Sequence, residues 1–232
     1  MATAPASNRS PGSWPLYRAL VGVGVVCGLL IVSAYVLTGP VIARNEAEAL
    51  QRAVFRVLPG AVASASFALG PGGRFGAAGE GGTAVSVVHA GYDAKGVLVG
   101  VAIEAQGMGY QDVIRILYGY SPESQAIVGM QVLASKETPG LGDKIEKDPA
   151  FVANFSALDV GLAADGQALR QPIEAVKHGS KTAPSQIDGI TGATISSKAV
   201  AAILRQSSAQ WVPLVYRARA DFVREAVTDG GQ

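Results

Sequence analysis

A run of small and hydroxyl-bearing residues near the carboxyl end carries the strongest chemical signal in the chain. It reads Asp188-Gly189-Ile190-Thr191-Gly192-Ala193-Thr194-Ile195-Ser196-Ser197. Gly192 and Ala193 have almost no side chain, so another group can approach the backbone closely, and Thr194 stands where a predicted helix begins. The first amides of a helix are unpaired donors with partial positive charge, which suits a phosphate. These residues suit a phosphate site beside the Thr194 hydroxyl. Local physics alone nevertheless favours an ordinary helix N-cap at Thr191 or Thr194, with the glycines in an ordinary turn, because such caps are common.

Two other stretches could form the walls of a ligand site. The first reads Lys136-Glu137-Thr138-Pro139-Gly140-Leu141-Gly142-Asp143-Lys144. Its tight turn at Pro139-Gly140 allows backbone amides and the Leu141 side chain to wrap a flat ring. The second is Gly107-Met108-Gly109-Tyr110, where Tyr110 could stack on such a ring. A solvated surface loop and a hairpin turn are the simpler explanations of these two stretches.

The composition excludes several classes of function. The chain has 232 residues with 19 basic and 18 acidic side chains, so it lacks the basic surplus of a nucleic-acid-binding protein. Its one cysteine, Cys27, cannot form an intrachain disulfide, and two histidines offer few ligands for zinc or haem. We therefore predict no metal site, and electron transfer would need an organic cofactor. His89 and His178 are interpreted as structural, because no nucleophile stands beside either one, and no catalytic residue is assigned.

A membrane anchor is predicted near the amino terminus. Residues 19–43 contain no charge and are bracketed by Arg18 and Arg44. A membrane-spanning helix needs about 20 apolar residues, whereas the apolar region of a cleaved signal peptide has only about 7–15. No convincing cleavage site follows, so we predict an anchor that ends at Gly39-Pro40. The basic residues on its two flanks do not decide its orientation.

The remaining pattern predicts strands first and helices later, which is typical of an α+β domain. A helix over residues 45–58 should end at Pro59-Gly60, and residues 61–82 should be mostly loop. Strands are predicted at 84–90, 97–105, 113–120, 125–133 and 173–176. Asp148 should cap a short helix with Pro149 in its first turn, and a longer helix should run from Ile195 to about Trp211.

Together these stretches resemble a known family. The segment around Thr191-Gly192-Ala193-Thr194 is similar to the flavinylation motif of FMN-binding domains. Residues 137–146 resemble the flavin-side loop of the G subunit of the Rnf electron-transport complex, whose sibling is the C subunit of the sodium-pumping NADH:quinone reductase. The two motifs stand about 50 residues apart, behind one apolar segment and a helix that ends in Leu58-Pro59-Gly60. The resemblance spans most of residues 17–210.

The resemblance implies specific chemistry for individual residues. A flavin transferase would move FMN from FAD onto Thr194 as a phosphoester, with Asp188 used during attachment. Residues expected to line the phosphate are Thr191, Gly192, Ala193 and Ser196. Lys177 is expected to contact the phosphate or the flavin. Residues expected along the flavin ring are Glu137, Thr138, Gly140 and Leu141.

The resemblance also implies an organisation and a setting. One amino-terminal transmembrane helix would precede an antiparallel-sheet-plus-helix FMN-binding domain on the extracytoplasmic side of a bacterial inner membrane. The predicted parts are a cytoplasmic tail (1–18), the membrane helix (19–43), a connecting helix (44–60), the FMN domain (61–210) and a carboxyl-terminal tail (211–232).

The implied role is electron transfer within an Rnf-type complex that couples ferredoxin and NAD to ion translocation. The expected partners are the other membrane subunits and the flavin transferase, and the chain alone is expected to have no turnover. A stand-alone membrane flavoprotein of another respiratory route and a non-catalytic anchored assembly subunit are the alternatives.

Overall fold

A computed structural model describes residues 14–70, 72–78 and 86–223. The chain divides into two compact units, residues 1–48 and 49–232, which are described separately.

The first helix, α1, spans Trp14–Val57 and links the two units along the chain. Among the described helices, it alone is long and apolar enough to cross a membrane, with a mean hydropathy of 2.5 over its most apolar window. The predicted stop at Gly39-Pro40 was wrong, because the helix continues through Pro40. A proline inside an apolar helix is tolerated when neighbouring groups satisfy the freed backbone carbonyl. The predicted connecting helix is therefore the second half of α1.

A seven-stranded antiparallel sheet forms the body of the second unit, in the order β2-β1-β3-β4-β5-β6-β7. Its strands are β1 (Ala63–Leu69), β2 (Phe75–Ala77), β3 (Val87–Tyr92), β4 (Leu98–Met108), β5 (Val113–Ser121), β6 (Ala126–Ala134) and β7 (Leu158–Asp159). The predicted loop over 61–82 was wrong where β1 and β2 form. The aromatic residues of these strands pack on Phe222, which is distant in sequence. The ring centroid of Phe222 lies 5.1 Å from that of Phe67 and 4.8 Å from that of Phe75.

One face of the sheet is covered by the long helix α4, which spans Thr194–Arg217. Its apolar side, including Val200 and Leu204, lies in the main core. The prediction that this helix ends near Trp211 was wrong, because Val212 and Val215 are also buried in that core. A short 3₁₀ helix, Arg219–Phe222, follows. It is tied to the sheet by the Tyr92 hydroxyl, which donates to the Phe222 carbonyl at 2.9 Å.

The opposite face receives the end of α1. Two glycines that pair across β5 and β6, Gly119 and Gly129, lie directly under the Val57 carbonyl. A Cβ atom at Gly119 would overlap that oxygen, and one at Gly129 would come within 2.6 Å of it. The close approach buries Ala53, Val54 and Leu58 in a second, smaller core.

Short elements connect β6 to α4. These are α2 (Lys144–Lys147), α3 (Pro149–Ala153), a 3₁₀ turn (Asn154–Ser156), and the parallel pair β8 (Glu174–Val176) and β9 (Gln186–Asp188). The predicted cap is confirmed, since the Asp148 carboxylate accepts from the amides of Ala150 and Phe151. One apolar amino-terminal helix followed by an antiparallel sheet with helices confirms the predicted α+β class.

Candidate functional site

Thr194 is the first residue of α4, and its side chain is exposed. The first helical bond runs from the Ser197 amide to the Ala193 carbonyl, so the amides of the first turn, residues 194–196, have no partner within the helix. The N-cap position belongs to Ala193, which has no capping side chain. No described residue bonds the Thr194 hydroxyl. The alternative interpretation of Thr194 as an ordinary N-cap was therefore wrong.

The turn before the helix requires glycine at one position. Gly192 has φ +84°, a conformation that side-chain-bearing residues rarely adopt. Gly192 is exposed and has no side chain. A Cβ atom added there would lie 3.7 Å from the ammonium nitrogen of Lys144. Gly192 and Thr194 line two cavities.

The first cavity, called here the ring-side cavity, has a volume of about 340 Å³. Three exposed apolar side chains, those of Tyr110, Leu141 and Ile195, contribute to it. The other lining residues have small side chains or none: Thr138, Gly142, Gly192, Ala193, Thr194 and Ser196. A flat apolar ring with a few polar atoms suits such a surface.

The second cavity, called here the basic cavity, has a volume of about 420 Å³ and shares Gly192 and Thr194 with the first. It is lined by Lys177, His178 and Lys198 together with Thr191. Lys198 follows Thr194 by one helical turn, so both project from the same side of α4. Two ammonium groups and an imidazole beside the first turn of a helix favour an anion.

Asp188 organises the wall of the basic cavity. Its carboxylate accepts from the amides of Gly179, at 2.9 Å, and Ser180, at 3.3 Å, and lies 3.7 Å from Nδ1 of His178. The buried amide of Asn154 fixes Asp188 in turn, accepting from its amide at 2.9 Å and donating to its carbonyl at 3.2 Å. These bonds hold the turn that carries Lys177 and His178.

Glu137 is only 6% exposed and does not line the ring-side cavity. Its carboxylate accepts from the amides of Tyr110 and Gln111 and from the Ser196 hydroxyl. Burial by itself would raise the pKa of Glu137. The hydrogen bonds from Ser196 and from the two amides outweigh burial and hold this pKa below its ordinary value of 4.5.

The structure brings most of the predicted residues together. The ring-side cavity collects Thr138, Leu141, Gly192, Ala193, Thr194 and Ser196, and the basic cavity collects Lys177, Thr191, Gly192 and Thr194. Glu137, Gly140 and Asp188 line neither cavity. Gly140 instead has φ +78° and makes the turn that presents Leu141.

Sequence reasoning missed several contributors. Ile195 and Lys198 were left unassigned, although their positions one and four residues after Thr194 on a helix were a usable signal. His178 gave no such signal, because only the folding of the segment before β9 brings it to the site. The statement that no nucleophile lies beside His89 was also wrong, since Ser66 Oγ is 2.9 Å from its Nδ1. That contact joins paired residues of β1 and β3 and is an ordinary cross-strand bond.

Comparison with known proteins places this geometry in a family. A model of the family described as the FMN-binding domain matches residues 109–208, which include Tyr110, Glu137 and Thr194. The G subunit of the ion-translocating oxidoreductase complex of Methanosarcina acetivorans is 32% identical over 184 residues, which cover 78% of this chain and 85% of that protein. The chain belongs to the family of these G subunits.

Other members of the G-subunit family match a shorter stretch. The G subunit from Shewanella baltica is 36% identical over 103 residues, covering 44% of this chain and 43% of its own length. Among solved structures, NqrC from Shewanella oneidensis has a TM-score of 0.59 at 16% identity, and the match covers 77% of this chain and 99% of that chain. The C subunit of the Na⁺-translocating NADH-quinone reductase from Parabacteroides distasonis gives 0.58 at 19% identity, covering 74% and 94% of the two chains. These two likenesses show a shared fold.

Proposed function

We propose that this G subunit is a membrane-anchored electron carrier of an Rnf-type complex, with FMN bound through a phosphoester to Thr194. One observation carries the proposal. An exposed hydroxyl without a hydrogen-bonding partner among the described residues stands at the start of a 24-residue helix, between an apolar cavity and a basic one. FMN attached through its phosphate needs a basic surface beside the phosphate and an apolar surface for the flavin ring.

The residues present fit such a cofactor. The ring-side cavity falls within the usual range of ligand sites, about 300–1,000 Å³, and offers the faces of Tyr110, Leu141 and Ile195 to a flat ring. Thr138 supplies a hydroxyl at its edge. Gly192 is exposed and has no side chain, so a phosphate on Thr194 could reach the open amides of the first helical turn.

The basic cavity supplies the balancing charge. Lys177, His178 and Lys198 line the basic cavity together with Thr194 and do not line the ring-side cavity. A phosphodiester on Thr194 would leave one negative charge for them to balance. Asp188 would act here by holding the turn that carries two of these groups, which gives it a positioning role during and after attachment.

Attachment would use FAD and a flavin transferase, as the flavinylation motif implies. The Thr194 Oγ would form the new bond to the FMN phosphorus, the diphosphate bond of FAD would break, AMP would leave and the hydroxyl proton would be released. Once bound, FMN supplies one-electron exchange, while the protein sets its position and potential. The covalent link retains the cofactor in a compartment without a flavin supply.

The proposal includes a location and partners. α1 would anchor the chain in a bacterial inner membrane, with the sheet domain on the extracytoplasmic side. The other membrane subunits of the complex would deliver and accept electrons between ferredoxin and NAD, coupled to ion translocation.

Replacement of the acceptor hydroxyl tests the proposal. Full-length wild type and Thr194→Val are produced with the flavin transferase, and the intact mass and the flavin fluorescence of the denatured band are measured. The wild type should be heavier by one FMN residue, and Thr194→Val should carry none while keeping its melting temperature. Thr182→Val, which removes a hydroxyl that bonds Gln186 and lies in neither cavity, serves as the matched control and should retain the flavin. Fluorescence retained in Thr194→Val would place the attachment elsewhere.

A further inference from the structure

Three segments that are distant in sequence meet at the carboxylate of Glu137. One oxygen accepts from the amides of Tyr110, at 2.9 Å, and Gln111, at 3.0 Å, in the turn between β4 and β5. The other accepts from the hydroxyl of Ser196 on α4, which is 59 positions away. Glu137 itself belongs to the loop that carries Thr138 and Leu141. One side chain thus joins the hairpin turn, the loop and the helix.

Two glycines allow this buried carboxylate to approach the backbone. A Cβ at Gly109 would lie 2.5 Å from Oε1, and a Cβ at Gly142 would lie 2.5 Å from Oε2. Real Cβ atoms do not approach so closely, so both positions must stay free of a side chain while Glu137 is in place. Gly109, in the stretch 107–110, and Gly142, in the stretch 136–144, therefore leave room for the Glu137 carboxylate.

The residues that Glu137 holds are those that form the ring-side cavity. Tyr110, Gly142 and Ser196 all line it, whereas Glu137 lies behind them. The ion pairs formed among the described residues do not include Glu137. Its charge is stabilised by neutral donors alone and stands directly behind the cavity wall.

We propose that Glu137 is a positioning residue that assembles the three walls of the ring-side cavity and whose buried negative charge lowers the reduction potential of the flavin held there. This inference rests on the proposed function. Reduction adds negative charge to the ring, and a fixed negative charge nearby opposes it more strongly inside a protein than in water. The protein's means of tuning a cofactor include nearby charge.

The test compares matched variants of the full-length protein after flavin attachment. Glu137→Gln removes the charge and keeps the shape, so the flavin should still attach and its midpoint potential should rise. A tenfold shift of the reduction equilibrium is expected, which is about 30 mV for a two-electron couple. Glu104→Gln, which removes a carboxylate paired with Arg115 on the sheet, is the control and should leave the potential unchanged.

Ser196→Ala provides a second test in case Glu137→Gln does not fold. Ser196→Ala removes a neutral donor that partly balances the carboxylate, so the potential should fall, opposite to the effect of Glu137→Gln. If the wild type carries flavin and its potential is unchanged in both variants, or rises in Ser196→Ala, the inference alone is overturned. A wild type without flavin on Thr194 would overturn the proposed function and this inference with it.

Discussion

At the scale of single residues, the site depends on the exposed hydroxyl of Thr194 and the buried carboxylate of Glu137. The Thr194 hydroxyl takes no part in capping its helix, and the carboxylate of Glu137 is satisfied without any cation. Both differ from the usual behaviour of their residue types, since threonines near helix starts commonly cap and buried carboxylates are commonly paired. Such departures are expected where structure is organised for binding a cofactor.

The lysine one turn after Thr194 should contribute to flavin attachment. Lys198→Gln should slow covalent incorporation of FMN about tenfold, because a hydrogen bond to a charged group contributes about 1.5–3 kcal/mol and about 1.4 kcal/mol equals tenfold. The initial rate of fluorescence gain with transferase and FAD measures this effect. Lys95→Gln, in the turn before β4, is the control, and equal rates in the two variants would exclude Lys198 from the phosphate site.

The ionisation of Glu137 should make the stability of the domain depend on pH. Its pKa is held below the ordinary value of 4.5 in the folded state, so its contribution to stability is complete above that value and is lost as the pH falls through the lower, folded-state pKa. Urea unfolding at neutral pH and below 4.5 should show a smaller acid-induced loss in Glu137→Gln than in wild type. Equal losses would show that this carboxyl does not contribute.

At the scale of elements, the sheet is fixed between α4 on one face and the end of α1 on the other. The second contact depends on backbone packing, because the last turn of α1 rests on two paired glycines.

A methyl group under the end of α1 should loosen this contact. Gly119→Ala should lower the free energy of unfolding by about 1–3 kcal/mol, the usual cost of overpacking, since the added Cβ would meet the Val57 carbonyl. Denaturant unfolding measures the change. Gly76→Ala in β2, where a Cβ would meet nothing within 4 Å, should have little effect. Equal stability of both variants would contradict the packing described.

At the scale of the whole molecule, one chain combines an apolar helix with a cofactor-sized site on a separate sheet domain. The helix carries no acidic or basic residue over residues 19–43, and the domain belongs to the family of G subunits. The proposed membrane-bound carrier would need both parts, because an anchor would confine the domain to the membrane surface.

The side of the membrane on which the domain lies can be measured with a single cysteine. In a Cys27→Ser background, Lys95→Cys in the exposed turn before β4 should react with a membrane-impermeant maleimide in intact spheroplasts. The Cys27→Ser parent has no other cysteine and should not react, which makes it the control. Labelling of Lys95→Cys only after lysis would show that the domain is cytoplasmic.

The sequence by itself determined the features that depend on local pattern. The apolar run of α1, the strands β3 to β6, the Asp148 cap and the helix after Thr194 all follow from periodicity, turn residues and capping. The resemblance of residues 188–197 to a flavinylation motif was also visible, because it rests on small residues and a hydroxyl in a fixed order.

Only the tertiary structure decided the rest. β1 and β2 form because Phe67 and Phe75 pack against Phe222, about 150 positions away. α4 continues past Trp211 because the core covers its last turns. Glu137 lies behind the cavity because it accepts a hydrogen bond from Ser196 on α4. Each of these outcomes depends on a partner distant in the chain. Tertiary packing overrides local propensity when it stabilises the fold by more than the propensity opposes it.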